Sequence, residues 1–267
     1  MRAKKSLGQN FLRDETVVSK IVDSLDLNAE DVVIEIGPGQ GALTETLLAK
    51  ARKVVAVEFD RDMISILKVK FHFTDNLFLI ERDALNVDFA QIVGDVTEGE
   101  KIKLVANLPY NISTPILQRL IEQRSIFSTI ILMFQREVVE RIIAPAGGKE
   151  RGYLSVLVEN AFTTERLFDV APAAFTPVPK VWSSVVRLTP HADVAIDGPI
   201  FRSLLSASFA QKRKTLFNNL KILTPAATEL LIDAGIDGRR RAETITLDEW
   251  SRLVTKLSNY KETGRSK

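Results

Sequence analysis

An apolar run from Ile102 to Ala106, interrupted by one lysine, ends abruptly in Asn107-Leu108-Pro109-Tyr110. An amide, a carbonyl stiffened by the following proline and a flat phenol ring suit a planar ligand that both hydrogen-bonds and stacks. Asn and Pro are also common turn residues, so a plain turn is the competing reading. A second candidate is Val32-Val33-Ile34-Glu35-Ile36-Gly37-Pro38-Gly39-Gln40-Gly41, an apolar strand running into a glycine-rich turn with helical sequence behind it. Glycine lets the backbone turn tightly and approach a ligand, and a helix amino terminus favours electron-rich groups.

Three readings of this loop stay open. Gly37-x-Gly39-x-x-Ala42 satisfies the dinucleotide pattern. It also suits S-adenosylmethionine, whose amino-acid part would pack on the loop with no pyrophosphate to bind. The third reading is a tight strand-to-helix turn without a ligand. Both ligand readings want a carboxylate at the end of the next strand to hold ribose hydroxyls, and Glu58, closing Val55-Ala56-Val57-Glu58, supplies it for either. Asp83, just after Leu79-Ile80-Glu81-Arg82, is placed to accept from an adenine amino group or simply to cap a turn.

With a methyl donor in the loop, Asn107 to Tyr110 acquires a specific chemistry. The N6 amine of adenine is a poor nucleophile because its lone pair is delocalised into the ring. The Asn107 side-chain oxygen and the Leu108 carbonyl, held by Pro109, would accept the two N6 hydrogens and draw the pair out of conjugation. The Tyr110 ring would stack on the base and hold it in line. No strong base is needed, since the methylated amine sheds its proton readily.

Such residues need a scaffold that sets strand ends side by side. The first two thirds of the chain alternate short apolar runs with amphipathic stretches, the pattern of parallel strands joined by crossover helices. Strands are expected at 31–36, 53–58, 77–80, 102–106 and 129–134, with helices at 41–50, 61–70, 114–123 and 136–143. Runs at 166–170 and 183–188 are expected to close the sheet as an antiparallel pair. The result is an α/β fold, an open Rossmann-like sheet with helices on both faces. In such sheets ligands bind beyond the carboxyl ends of the strands, and the fourth strand is expected beside the first, bringing Asn107 next to the glycine loop.

After Thr189-Pro190 the texture changes, with Asp197-Gly198-Pro199 as a linker. Helices are expected at 200–209, 216–222, 225–234 and 247–260, the third opened by Thr224 as cap and Pro225 at its first position. From Pro199 to Lys267 there are 13 Lys/Arg against 7 Asp/Glu, so this part carries +6 of a total of +2 and leaves −4 on the rest. That asymmetry marks either a basic appendage or a solvated helical face.

Composition narrows the chemistry. The chain of 267 residues is 45% hydrophobic and 26% charged, enough to bury a full core as one large domain or a domain with a smaller companion. The absence of cysteine excludes disulfides, thiolate metal sites and a cysteine nucleophile. His72 and His191 alone leave little for a histidine metal site or a Ser-His triad. Catalysis must rest on positioning, carboxylates, amides and aromatics. Without an apolar run of membrane length or a signal-like start, the chain is expected to be cytoplasmic.

The assembled motifs resemble one family. Asn107-Leu108-Pro109-Tyr110 looks like the N6-adenine methyltransferase motif, and Gly8-Gln9-Asn10-Phe11-Leu12 resembles the opening signature of the ribosomal RNA adenine dimethyltransferases. Phe175-Thr176-Pro177-Val178-Pro179-Lys180-Val181-Trp182-Ser183 is similar to that family's F-x-P-x-P-K-V-x-S segment, and the stretch from Phe209 to Leu220 to its basic carboxyl-terminal segment. The resemblance implies a class I methyltransferase domain over 1–194 and a helical RNA-binding domain over 195–267. It implies S-adenosylmethionine as cofactor, contacted by Asn10, Leu12, Gly37, Glu58, Asp83 and Asn107. The target adenine would sit against Asn107, Leu108, Pro109 and Tyr110, with Phe175 as the other wall of its slot, and Lys212, Arg213 and Lys214 would contact RNA. The implied reaction is dimethylation of two adjacent adenosines near the 3′ end of small-subunit ribosomal RNA, in ribosome biogenesis. The implied partner is that RNA within a ribosomal particle, with no metal, no membrane and the chain as a monomer. A large-subunit RNA methyltransferase of the antibiotic-resistance type shares the core motifs. An NAD dehydrogenase would explain the loop but not Asn107 to Tyr110, and an RNA-binding assembly or transcription factor without catalysis would share the fold. Two positions depart from the family: Arg151, where an aromatic is more common, and Trp182, where a small or polar residue is common.

Overall fold

The computed structural model describes residues 9–97, 100–108, 112–193 and 196–262. Two compact units form, residues 1–139 with 162–190 and residues 140–161 with 191–267. In chain order the first unit begins with β1 (Phe11–Leu12), α1 (Glu15–Asp23), β2 (Val32–Ile36), α2 (Ala42–Leu48), β3 (Lys53–Glu58), α3 (Arg61–Lys70) and β4 (Leu77–Glu81). It continues through α4 (Phe89–Val96), β5 (Ile102–Asn107), α5 (Ser113–Glu122) and β6 (Phe127–Gln135) to α6 (Arg136–Ile142), which passes into the second unit. There α7 (Tyr153–Ala161) follows, before the chain returns to the first unit for β7 (Phe162–Val170), β8 (Phe175–Thr176) and β9 (Ser183–Pro190). The second unit ends with α8 (Pro199–Phe209), α9 (Leu216–Leu220), α10 (Ala227–Asp233) and α11 (Leu247–Glu262).

The main sheet has the order β4-β3-β2-β5-β6-β9-β7. Its first five strands are parallel, and β9 pairs antiparallel with both β6 and β7. The expected antiparallel pair is present, and β5 lies directly beside β2. The inner parallel strands read as nearly continuous apolar runs because both faces are covered. All five residues of β2 are buried. On one face Val33, Val105, Ile131 and Val185 join α1 residues Val18, Ile21 and Val22 and α2 residues Leu43 and Leu47 in a single cluster. On the other, Ile34, Val55, Leu104, Ile130 and Val186 are at most 1% exposed. Each such side chain contributes about 1.5–3 kcal/mol by leaving water.

Helix starts follow local chemistry. The Asp14 side chain accepts from the backbone of Thr16 and Val17 to open α1, and Asp60 accepts from Asp62 to open α3. One expected start is corrected: α10 begins at Ala227, not at Pro225. The Thr224 hydroxyl accepts from the Ala226 amide at 3.3 Å, so Thr224 and Pro225 form the turn before the helix. In the second unit Leu204, Leu216, Leu230, Trp250 and Leu253 are fully buried, and Arg240 holds α11 through both oxygens of Glu249, at 2.5 and 3.0 Å.

Candidate active site

The site is built where β2, β3 and β5 end together. The register sets Ile36 against Val57 and Ala106, so the turn after β2, the carboxylate ending β3 and the amide ending β5 share one edge of the sheet. Glycine is required in the turn on steric grounds. Gly41 has φ +80°, and a Cβ there would lie 2.7 Å from the Phe71 ring. Gly39 has φ +58°, and its Cβ would press the Phe11 ring at 3.2 Å. Phe11 comes from β1, which pairs with β8 so that Leu12 faces Phe175. A two-stranded ribbon thereby closes over the loop.

Together these elements enclose a cavity of about 330 Å³ in the first unit. Asn10, Leu12, Gly37, Glu58, Asp83 and Asn107 all line it, as do Leu108 and Phe175. Pro109 and Tyr110, and Gly8 of the opening signature, lie outside the described residues. Lys212, Arg213 and Lys214 are in the second unit, in an exposed turn between α8 and α9 closed by the Lys214 amide donating to the Gln211 carbonyl at 2.9 Å.

Glu58 is 8% exposed and accepts three backbone hydrogen bonds. Its Oε1 takes the amides of Phe59 and Asp60 at 2.9 and 2.8 Å, and its Oε2 takes Gly39 at 3.1 Å. Burial raises its carboxyl pKa and these bonds oppose the rise. A carboxylate has about four acceptor sites, so Glu58 keeps capacity for a ligand hydroxyl. Asp83 caps the turn at Ala84 by accepting from Leu85 at 2.9 Å, and it also lines the cavity. Phe175 is 2% exposed, at once a member of the core cluster and a cavity wall.

Several site residues escape a reading of sequence alone. Glu35 is 1% exposed, accepts from the Thr44 hydroxyl at 2.6 Å, and has its pKa raised to about 7, chiefly by burial. The signal was present as an acid inside an otherwise apolar strand. Asp60, also buried, accepts from Gln9 Nε2 at 2.9 Å, tying the segment before β1 to the end of β3. Arg13 reaches Gln40 of the glycine turn at 2.6 Å. Among the described residues no group of three or more His, Cys, Asp or Glu side chains is placed to hold a metal ion, and no helix is long and apolar enough to cross a membrane.

Comparison with known proteins adds a family. The model of the ribosomal RNA adenine dimethylase family matches residues 1–259. A ribosomal RNA small subunit methyltransferase A from Pseudomonas aeruginosa is 42% identical over 260 residues, 96% of this chain and 95% of the relative. The protein of that name from Geobacter sulfurreducens is 42% identical over 265 residues, 96% of each chain. Among solved structures, a dimethyladenosine transferase from Plasmodium falciparum is similar with a TM-score of 0.78 and 26% identity, covering 95% of this chain and 98% of that one. The 23S rRNA methyltransferase ErmE follows with a TM-score of 0.69 and 26% identity, covering 93% of this chain and all of the other.

Proposed function

We propose a reaction for this chain, which belongs to the ribosomal RNA adenine dimethylase family: methyl transfer from S-adenosylmethionine to N6 of two adjacent adenosines near the 3′ end of small-subunit ribosomal RNA. The observation that carries it is the single cavity in which the glycine loop, Glu58 and Asp83 meet Asn107, Leu108 and Phe175.

The donor set fits S-adenosylmethionine better than a dinucleotide. Gly39 N–H, which a pyrophosphate would need, already donates to Glu58, and Asp60 adds a second carboxylate beside the same turn. A cluster of acids repels a diphosphate and favours a cationic sulfonium with its ammonium group. When bound, the cofactor supplies an electrophilic methyl group. The chain's own residues do the rest. Glu58 holds ribose hydroxyls, and Asp83, whose second oxygen takes one long bond from Asn86 at 3.2 Å, accepts from the adenine of the cofactor. Asn107 and the Leu108 carbonyl accept the N6 hydrogens of the target base, aiming the lone pair at the methyl group. Phe175 walls the slot, and Tyr110 stacks on the base, a role read from sequence. Asn10, Leu12 and Gly37 complete the cofactor wall. In the second unit Lys212, Arg213 and Lys214 bind RNA phosphates, positioning the substrate without reading its bases.

The test offers labelled S-adenosylmethionine with undermethylated small and large ribosomal subunits together. Label is expected in small-subunit RNA. Label confined to large-subunit RNA would replace this reading with the antibiotic-resistance type, and no label in either would remove it.

A further inference from the structure

The chain has two tryptophans with opposite fates. Trp250 is fully buried in the second unit, whereas Trp182 in the first is 48% exposed, with Val178 at 66% and Val181 at 39% in the same loop. Burying an indole contributes so much that an exposed one following two exposed valines in one loop calls for an occupant.

Its position in the fold names that occupant. The loop leaves β8, whose Phe175 is a wall of the cavity, and leads into Ser183, the first residue of β9. Because β9 runs antiparallel, Ser183 pairs with Gln135 at the end of β6, and the Trp182 carbonyl accepts from the Arg136 amide at 3.0 Å. Trp182 therefore emerges at the same sheet edge as Asn107, which pairs with Met133. In the order β5-β6-β9 it lies two strand spacings away, about 10 Å across and about 10 Å further along the strand direction. That is the reach of a nucleotide one or two positions from a base held at Asn107. Lys180 stands in the same loop as a cation for the adjoining phosphate, while the nearby Asp169 is occupied by Arg166 at 2.6 and 2.7 Å and by the Ser184 hydroxyl.

We propose that Trp182 is a stacking platform for an unpaired nucleotide flanking the target adenosine, with Val178 and Val181 extending its apolar surface and Lys180 facing the phosphate. This rests on the RNA reading above and adds a substrate contact to it. Unpaired bases offer an aromatic face to any flat ring, so the platform holds the strand in place without selecting sequence.

Two probes test it on the full chain. An adenine-rich single-stranded ribonucleotide hexamer is expected to quench tryptophan emission of the parent and to leave Trp182→Phe nearly unquenched, since Trp250 is buried. With undermethylated small subunits, Trp182→Ala is expected to raise KM roughly 5- to 150-fold, the range for losing one stacked base. Its kcat and S-adenosylmethionine affinity should stay near the parent's, and Trp182→Phe should restore most of the loss. Parental KM in a folded Trp182→Ala protein overturns the proposal. So does a Trp182→Leu variant as good as Trp182→Phe, which would mean apolar area against a protein rather than a ring on a base. A parent that methylates neither subunit removes the underlying reading, and this inference with it.

Discussion

Glu35 in β2 and Arg151 just ahead of α7 are both charged residues taken out of water, at 1% and 0% exposure, yet their partners differ in kind. Arg151 donates to the Ala144 carbonyl at 2.9 Å and to the carboxylate of Glu159, so its charge meets an opposite one. Among the described residues Glu35 takes its hydrogen bond from a neutral hydroxyl, and burial with the charge of Glu58 outweighs the more distant help of Lys70. Paired burial ties a segment down. Unpaired burial beneath a cavity leaves a group whose ionisation is costly, and groups of that sort gather at functional sites.

Removing Arg151 should break this contrast most severely. Arg151→Ala is expected to cost about 3 to 4 kcal/mol of stability, from the missing pair and the space left behind; Glu159, with a side chain 40% exposed, can turn to water and keeps the loss from being larger. A urea midpoint equal to the parent's would show that the buried pair fixes nothing.

Glu35 sharpens the contrast through pH. The folded chain holds the Glu35 proton up to about pH 7, whereas the unfolded chain releases it near the ordinary value of 4.5. Across that window the native state binds more protons, so stability falls as pH rises through it and stays lowered above. The contribution is at most about 3 kcal/mol. Glu35→Gln keeps an acceptor for Thr44 and should remove this slope, gaining on the parent as pH rises. Parallel stability curves for the two proteins from about pH 5 to about pH 8 would contradict a buried, unpaired acid.

A neighbouring carboxylate gives a smaller effect. Glu58→Ala should weaken S-adenosylmethionine binding by about 1.5 to 3 kcal/mol in calorimetry, with NAD binding to neither form. Unchanged methyl-donor affinity in the folded variant would take Glu58 out of the site. The exposed turn of the second unit should respond least per residue. Replacing Lys212, Arg213 and Lys214 by glutamine should flatten the salt dependence of RNA binding, by about 0.7 to 0.9 in log-log slope for each phosphate no longer neutralised, while methyl-donor affinity holds. Identical slopes would make the turn a solvated surface.

What sequence could show follows from how each element is buried. The inner parallel strands were legible because two covered faces make nearly continuous apolar runs, and the glycine turn because steric demands leave no other residue. α7 was not legible: Leu154, Ser155, Val156, Leu157, Val158, Asn160 and Ala161 are all buried, so the helix has almost no polar face to give it a helical period. The insertion of β9 between β6 and β7 is a non-local pairing that no local pattern encodes. In the site, residues at strand ends were found, whereas Glu35 and Asp60 were missed because their role depends on partners, Thr44 and Gln9, that only folding brings together.

Mass spectrometry of nucleosides and oligonucleotides from both ribosomal RNAs, after reaction of undermethylated subunits with S-adenosylmethionine and either the parent or Asn107→Ala, tests the central claim most directly. The parent is expected to leave adjacent N6,N6-dimethyladenosines near the 3′ end of small-subunit RNA and none in large-subunit RNA. Asn107→Ala should slow turnover by about 100-fold or more, as losing a group aimed at the reacting centre does, with RNA affinity retained. Dimethyladenosine confined to large-subunit RNA, or an Asn107→Ala enzyme as fast as the parent, would contradict it.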